Sequence, residues 1–258
     1  MTHPENLEHL ENPESRESRE KTEHPMTSMP MVLMYHSVDH YDRDPHLVTV
    51  TPERFERQLR WLQARRLRGV SVGELLRADA EGGTRGLVGL TFDDGYADFA
   101  TRAVPALVRF GFTATVFMVA GHAGGYNSWD SGPPKSLMTT DQLRAVADFG
   151  MEVASHGMRH ISLPGAPAQQ VRDELRQSRY VLEEAVQRPV TGFAYPYGHV
   201  SPRDVAEVRA AGYDYACAIR PDEPGRHALA RTYVGERDRG LRLRAKVVRH
   251  ELQWLVRI

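Results

Sequence analysis

The chain has 258 residues, of which 41% are hydrophobic and 26% charged, which suits one large α/β domain or at most two small ones. Its 33 Lys and Arg residues against 34 Asp and Glu residues give a net charge of −1, so the bulk charge does not point to a nucleic-acid partner. The single cysteine, Cys217, excludes an intramolecular disulfide framework, and its apolar neighbours predict a buried structural thiol.

The first 28 residues are predicted to be disordered. They contain seven Glu, two Arg, one Lys and almost no apolar side chains. This segment lacks the apolar core of a secretory signal, and no part of the chain approaches the ~18 apolar residues of a membrane span. We therefore expect a cytoplasmic protein.

Residues 29–238 alternate apolar runs with amphipathic stretches. The predicted strands are 31–36, 87–92, 113–119, 151–155, 191–195 and 213–219, with shorter ones near residue 70 and over 229–234. The predicted helices are one that begins after Thr51 and carries Phe55, Leu59 and Leu62, and others over 97–110, 140–149, 168–186 and 202–211. Repeated strand–helix units with apolar strands predict a parallel sheet, and seven or eight units fit a closed, TIM-like (β/α) barrel better than an open sheet.

Polar residues follow four of the predicted strands, at the barrel face where the chemistry of such folds is found. These groups are Tyr35-His36-Ser37, Asp93-Asp94-Gly95, Ser155-His156 followed by His160, and Tyr195-Pro196-Tyr197-Gly198. The barrel prediction therefore implies that they converge.

Two histidines in this set have the spacing of metal ligands. His156 and His160 are four residues apart, so one helical turn would place both imidazoles on the same side. Two imidazoles and one aspartate from a neighbouring strand end make the three-ligand set of a catalytic zinc, which leaves a position open for water. The alternative is a pair of surface histidines after a helix-capping serine.

The adjacent aspartates, Asp93 and Asp94, suggest two different tasks. Side chains of neighbouring residues at a strand end point in different directions, so one carboxylate is expected to bind the metal while the other accepts a proton from water. Gly95 permits a sharp turn after them. A helix N-cap is the alternative interpretation, but it accounts for only one of the two carboxylates.

The motifs "TFDDG", "SHGMRH" and "FAYPYG", in this order, resemble those of the polysaccharide deacetylases of the NodB-homology type, carbohydrate esterase family 4, over residues 31–234. The stretches "GHAGGYNSWD" and "GYDYACAIRP" are similar to the exopolysaccharide branch, which includes poly-N-acetylglucosamine deacetylases. The resemblance implies a distorted (β/α) barrel, usually seven-stranded, that hydrolyses N-acetyl or O-acetyl groups on sugars. It also implies that Asp93 is the general base and that Asp94, His156 and His160 bind a divalent metal, with zinc the usual expectation and cobalt or nickel as other possibilities.

The predicted substrate contacts come from two places. By the same resemblance, Pro196, Tyr197 and Gly198 shape one wall of the groove, and the backbone amide of Tyr197 helps to hold the oxyanion. The glycine-rich loop after the fourth strand supplies three further candidates, although it is equally well explained as a simple connection: Asn127, Trp129 and Asp130.

Two positions depart from the family pattern. The arginine that normally stands two residues before Pro196 and orients the base is replaced by Ala194, and the late "LxH" motif reads "LAR" at 229–231, without its acid histidine. His36, which ends the first strand, is the preferred general acid, because the poly-N-acetylglucosamine branch is similar in using a histidine there. The alternatives are His227 as the acid, or a purely structural, hydrogen-bonded role for His36.

The expected function is metal-assisted hydrolysis of an acetyl amide, or less favourably an ester, on an aminosugar. The alternatives are a same-fold amide hydrolase or deformylase acting on a lipid-linked aminosugar, and a catalytically weak carbohydrate-binding protein. Residues 239–258 have a net charge of +5 and predict a basic amphipathic helix. That helix either contacts the inner face of a membrane peripherally, through an apolar face of Leu241, Val248, Leu252, Trp254 and Leu255, or simply packs on the barrel.

Overall fold

The structure, a computed structural model, describes residues 29–254, so the predicted disordered segment 1–28 lies outside the described residues. Ten strands are present within residues 29–254: β1 (Val32–Tyr35), β2 (Ser37–Val38), β3 (Thr49–Val50), β4 (Arg68–Val70), β5 (Leu87–Phe92), β6 (Thr115–Met118), β7 (Glu152–Ser155), β8 (Gly192–Ala194), β9 (Tyr215–Cys217) and β10 (Thr232–Tyr233). The same part of the chain holds seven α-helices: α1 (Pro52–Gln63), α2 (Val72–Ala80), α3 (Val104–Phe110), α4 (Thr140–Asp148), α5 (Ala168–Val186), α6 (Pro202–Ala210) and α7 (Gly240–Trp254).

Parallel pairing joins eight of the strands into one curled sheet. Its order is β10-β1-β5-β6-β7-β8-β9, and β4 pairs with the first half of β5 before β6 takes over the second half. The short β2 and β3 form a separate parallel pair. Because every strand of the main sheet runs in the same direction, the loops that follow their carboxyl ends share one face.

Residues 229–233, which we call the closing segment, join the two edges of the sheet. The Leu229 amide donates to the Ala216 carbonyl and the Ala218 amide donates to the Leu229 carbonyl, both at 2.8 Å. Further along the segment, Thr232 pairs with Leu33 of β1. The predicted distorted (β/α) barrel is therefore confirmed, with seven strands around its circumference.

Helix α1 illustrates how the local sequence builds the layers. The Thr51 side chain accepts the Arg54 amide, and Pro52 opens the helix, as predicted. Phe55, Leu59 and Leu62 are fully buried against the strands. One apolar stripe thus fixes which face of the helix covers the barrel.

The structure also differs from the prediction in three places. Helix α2, which the sequence prediction lacked, is short, is capped by Ser71 and buries only three apolar side chains. The strands β2 and β3 were not predicted, because two residues each give no periodicity. The predicted helix 97–110 begins with a wide π-helical turn, Phe99–Ala103, which suits Pro105 because proline has no N–H to donate to a preceding turn.

Among the described residues, no helix combines the length and apolar character that crossing a membrane would require.

Candidate active site

Three predicted ligands, Asp94, His156 and His160, meet at the carboxyl end of the barrel. The Asp94 Oδ1 atom lies 3.6 Å from His156 Nε2 and 3.3 Å from His160 Nε2. One ligand atom from each residue lies within 4.8 Å of the other two, and all three side chains are buried. Two imidazole nitrogens and one carboxylate oxygen, brought together at this spacing, form a donor set that suits a divalent ion such as zinc.

A hydrogen bond fixes the tautomer of His156. Its Nδ1 atom lies 2.8 Å from the Ala194 carbonyl, so Nδ1 carries the proton and Nε2 is left with its lone pair facing Asp94. Burial lowers the pKa of His156 to about 4, which keeps the imidazole neutral at physiological pH. A neutral imidazole with Nε2 turned inward is what metal coordination requires.

Glu174 of α5 holds the loop that carries both histidines. Its buried carboxylate accepts the backbone amides of Met158 and Arg159, at 2.8 and 3.0 Å, and the Arg159 Nε at 2.6 Å. Residues 156–160 form a loop, so the prediction that one helical turn aligns the histidines was wrong. The loop geometry, with His160 at a φ of +58°, brings the two rings together instead.

Unusual backbone conformations concentrate in this site. Of the six non-glycine residues with positive φ among the described residues, three lie here: Asp94 (+72°), His160 (+58°) and Tyr197 (+60°). Such conformations cost on the order of 1–3 kcal/mol each and persist where the surrounding structure fixes them. Gly95 follows at +75°, and a Cβ there would overlap the Met118 sulfur, so the turn requires glycine.

Asp93 lines the same cavity as this triad and is paired with Arg231. The guanidinium donates from Nη1 to Oδ1 at 2.6 Å and from Nη2 to Oδ2 at 2.8 Å, which is a bidentate pair. Arg231 is fully buried and also bonds to the Thr91 hydroxyl and the Ala218 carbonyl, both at 3.2 Å. The two adjacent aspartates therefore have separate partners, as the argument from strand geometry predicted.

Neighbouring groups keep both aspartates ionised. Burial on its own would raise the pKa of Asp93, but the charge and hydrogen bonds of the Arg231 guanidinium outweigh it and hold this pKa below the usual value. Burial likewise opposes ionisation of Asp94, and the nearby imidazoles lower its pKa well below the usual range. Asp93 thus remains a carboxylate that is able to accept a proton.

Arg231 stands where the family pattern has the histidine of its "LxH" motif, and it contacts the aspartate that the missing motif arginine would have oriented. The sequence prediction recognised both departures, at Ala194 and at 229–231, but did not connect them. The available signal was the arginine in "LAR", on a predicted strand next to the strand that carries His36. Glu174 was missed as well, because it lies in the middle of a long helix without any motif.

His36 faces the same cavity as both aspartates. This cavity has a volume of about 200 Å³, and its lining includes the metal-site triad, Asp93 and the following residues: His36, His46, Val48, Asp130, Tyr197, Gly198 and Ile219. The His36 ring lies 6.4 Å from that of Tyr233, and no hydrogen-bond partner of its buried Nδ1 is present among residues 29–254. The hydrogen-bonded structural role considered for His36 therefore has no support at Nδ1.

The third motif follows β8 as a short 3₁₀ turn, Pro196–Gly198. Tyr197 is 46% exposed, and its ring packs edge-on against His160 with the centroids 4.6 Å apart. Gly198 lines the cavity, while Pro196 is buried beneath it. Tyr197 and Gly198 are thus placed to touch a substrate, and Pro196 shapes the turn from below.

The glycine-rich loop contributes three residues with three different placements. The Trp129 ring stacks on His160 at 4.6 Å and 21°, so it supports the imidazole of a candidate metal ligand. Asp130 lines the metal-site cavity directly. Asn127 is buried, and its side-chain oxygen accepts the Lys135 amide at 2.7 Å, so it organises the loop. Asn127 lines a second cavity of about 640 Å³, which adjoins the first at His46, Val48 and Asp130.

Two other predicted residues lie away from this centre. The His227 Nε2 atom lies 2.9 Å from the Tyr213 carbonyl, and His227 is not among the residues that line the metal-site cavity. His227 is therefore badly placed to serve as the acid. Cys217 is buried in β9, and burial raises its pKa to about 12, which agrees with the predicted structural thiol.

The profile of the polysaccharide deacetylase family matches residues 80–216, which is more than half of the chain. The chain belongs to the polysaccharide deacetylase family. It is therefore a hydrolase of the carbohydrate-deacetylase class, as the motifs predicted.

Two relatives show how far the similarity extends in sequence. The Bacillus subtilis (strain 168) protein YxkH is 27% identical over 209 residues, which cover 79% of this chain and 70% of YxkH. The poly-beta-1,6-N-acetyl-D-glucosamine N-deacetylase of Staphylococcus aureus (strain MRSA252) is 23% identical over 181 residues, 66% of this chain and 61% of that enzyme.

Solved structures agree on the fold. The Streptococcus pyogenes deacetylase PplD, in complex with acetate, superposes with a TM-score of 0.72 at 21% identity, covering 86% of this chain and 99% of PplD. IcaB from Ammonifex degensii gives a TM-score of 0.68 at 23% identity, covering 86% of this chain and 98% of IcaB. At these identities the likeness concerns the barrel alone.

Proposed function

We propose that this protein is a metal-dependent deacetylase that removes the N-acetyl group from an aminosugar of a carbohydrate chain. The observation that carries the proposal is one cavity in which the Asp94-His156-His160 triad lies beside a separate, arginine-paired carboxylate, Asp93. A ligand set and a free base next to each other are the two parts that hydrolysis by an activated water requires.

Asp94, His156 and His160 would hold the ion, with zinc favoured and cobalt or nickel as alternatives. An ion held there supplies Lewis acidity, which favours ionisation of water and polarises a carbonyl oxygen. The remaining chemistry falls to the side chains and backbone of this chain.

Asp93 accepts the proton of the water as its oxygen attacks the acetyl carbon. The Arg231 fork keeps that carboxylate ionised and fixes its orientation. The backbone amide of Tyr197 donates to the oxyanion that develops on the carbonyl oxygen. His36 then gives a proton to the departing amine as the C–N bond breaks, which releases acetate and a free aminosugar.

The amide substrate is favoured over an ester for a chemical reason. An amine is a poor leaving group unless it is protonated, and His36, which lines the cavity together with Asp93, is the side chain to which we assign that proton transfer. The similarity to the S. aureus N-deacetylase supports the same choice. The adjoining cavity of about 640 Å³ offers room for neighbouring sugars of a longer chain.

Acetate release by the purified full chain tests the proposal. The substrates are short N-acetylglucosamine oligomers, O-acetylated glycans and lipid-linked N-acetylated aminosugars, each with zinc, cobalt or nickel added. We expect release from the N-acetylated oligomers, and an Asp93→Asn variant that loses about 10²- to 10⁴-fold of the activity while retaining the metal.

Asp148→Asn is the matched control, since this aspartate of α4 is 71% exposed and pairs with Arg188 on the surface. It should leave the rate unchanged. Exclusive activity on the lipid-linked sugar would favour the alternative of an amide hydrolase that acts on a lipid-linked aminosugar. No release from any substrate by the metal-loaded protein would leave the carbohydrate-binding alternative and overturn the proposal.

A further inference from the structure

Helix α7 carries two apolar stripes on opposite sides. The first consists of Leu243, His250 and Trp254, which are spaced i, i+7 and i+11 and are buried against the barrel. The second consists of exposed residues that are spaced i, i+4, i+7 and i+11 and start two positions earlier: Leu241, Ala245, Val248 and Leu252. Because two residues of an α-helix turn through about 200°, the second stripe points directly away from the protein.

The inner side of α7 is firmly attached. The His250 ring lies between the Thr232 hydroxyl (3.1 Å) and the Pro30 carbonyl (3.2 Å). Lys246 donates to the Tyr233 carbonyl at 2.7 Å and to Asp238 at 2.5 Å. The outer stripe is therefore held in one orientation, and Trp254, which the sequence prediction grouped with Leu241, lies on the buried side.

The outer stripe is apolar and well exposed. Leu241 is 84% exposed, Leu252 63% and Val248 41%. Single exposed apolar residues are common, but a continuous stripe of them along about three turns of a helix marks a surface for interaction.

Positive charge borders this stripe. Arg242 and Arg249 follow one side of it and Arg244 the other, and all three are exposed. Glu251 is the single acidic residue of the helix. An apolar strip between arginines matches the boundary between headgroups and acyl chains of an anionic lipid layer.

A basic cavity opens next to the same helix. Its volume is about 200 Å³, and none of its lining residues is acidic. Arg220 and Arg249 line it, and within residues 29–254 neither guanidinium has a carboxylate partner. Two guanidinium groups without a partner, facing one cavity, suit a phosphate group, because their donors match its oxygens.

We infer that the outer stripe of α7 binds the surface of an anionic phospholipid membrane, with Leu241, Val248 and Leu252 entering the interface while the flanking arginines contact headgroup phosphates. The inference goes beyond deacetylation and stands independently of it. It sharpens the sequence prediction of a basic membrane-contacting helix by specifying which side of the helix makes the contact.

Vesicle co-sedimentation with the full chain tests the inference. The vesicles contain phosphatidylcholine with or without phosphatidylglycerol. We expect binding to the anionic vesicles alone, weakened at high salt. The triple variant Leu241→Ser, Val248→Ser, Leu252→Ser should bind at least about tenfold more weakly. The triple variant Arg242→Gln, Arg244→Gln, Arg249→Gln should bind about a hundredfold more weakly.

All of these side chains are exposed, so the variants should fold, which circular dichroism checks. A matched control replaces two exposed aromatic residues on other surfaces, Phe149→Ser and Tyr180→Ser, which are 63% and 65% exposed, and it should bind vesicles like the parent chain. Anionic binding that the leucine variant leaves intact overturns the inference, as does absence of binding. A stripe that instead supports self-association, seen as a dimer lost in the leucine variant by light scattering, overturns it too.

Discussion

Arg231 forms a bidentate salt bridge with Asp93, which lies 138 positions earlier in the sequence. It donates one N–H to each carboxylate oxygen, at 2.6 and 2.8 Å. Both side chains are buried, so the pair forms where water cannot screen it. Ala194, in the third motif, has no side chain that could bind Asp93. The Arg231 guanidinium, on the closing segment, makes that contact instead.

Breaking this pair should affect both stability and turnover. Arg231→Gln leaves a buried carboxylate without compensation and should destabilise the fold by about 3–5 kcal/mol. Arg231→Lys keeps the charge but loses the bidentate geometry, so it should fold better and still lose most of the turnover. Urea unfolding and acetate release measure the two effects.

A double-mutant cycle separates this coupling from general damage. If the pair is what matters, Arg231→Gln should cost much less in an Asp93→Asn background than in the parent chain. Equal costs in the two backgrounds would show that Arg231 acts through its other contacts.

Glu174→Gln should weaken metal binding about 10- to 100-fold, although Glu174 lies outside the Asp94-His156-His160 triad. The amide cannot accept from the Met158 and Arg159 backbone and from the Arg159 side chain with the same strength, so the histidine loop loosens. Competition against a chromogenic zinc chelator gives the affinity. Glu207→Gln, which breaks the partly exposed pair with Arg172, is the control and should not change it.

His36→Ala should lower turnover by about 10²- to 10⁴-fold and leave metal affinity intact, because the residue faces the cavity without belonging to the Asp94-His156-His160 triad. Tyr180→Ala, which removes an exposed ring of α5 that lines neither cavity, is the control and should leave turnover unchanged. The ratio of rates on an amide and on an activated aryl ester gives a sharper readout. The rate of ester hydrolysis should fall less than the rate of amide hydrolysis, since the leaving group of the ester needs no proton.

Cys217 should resist thiol reagents in the folded protein. Burial raises its pKa to about 12, so almost no thiolate exists at pH 8. A raised folded pKa means that the stabilising contribution is complete below the unfolded pKa of about 8.5 and declines as the pH rises above it. Reaction with a disulfide reagent should be slow in buffer and fast in urea. Fast labelling of the native chain would contradict the buried placement.

Local geometry explains which parts of the site were predictable. Asp93, Asp94, His156 and His160 follow strands whose apolar runs are visible in the sequence, and the parallel barrel forces those strand ends together. The predicted strands of the main sheet correspond to observed ones for the same reason. The strands β2 and β3 were not predicted, because they pair only through the path of the loop between them, and that path leaves no periodic pattern in the sequence.

The supporting residues were not predictable in this way. Glu174 reaches the histidine loop from the side of a helix, and Arg231 reaches Asp93 only after the barrel has closed. Their partners are set by the relative placement of elements that are distant in sequence. The predicted helical turn between His156 and His160 failed because their separation in the sequence suits a loop equally well once Glu174 supports it.

Because Arg231 lies on the closing segment, closure of the barrel and the reactivity of Asp93 depend on the same residues. If residues 229–233 detach from β1 and β9, even transiently, Asp93 loses the arginine that keeps it ionised and oriented, while most of the helices stay folded. Activity should therefore vanish at a lower urea concentration than helical circular dichroism. The closing segment therefore couples catalysis to folding, because Asp93 has its arginine partner only while the barrel is closed.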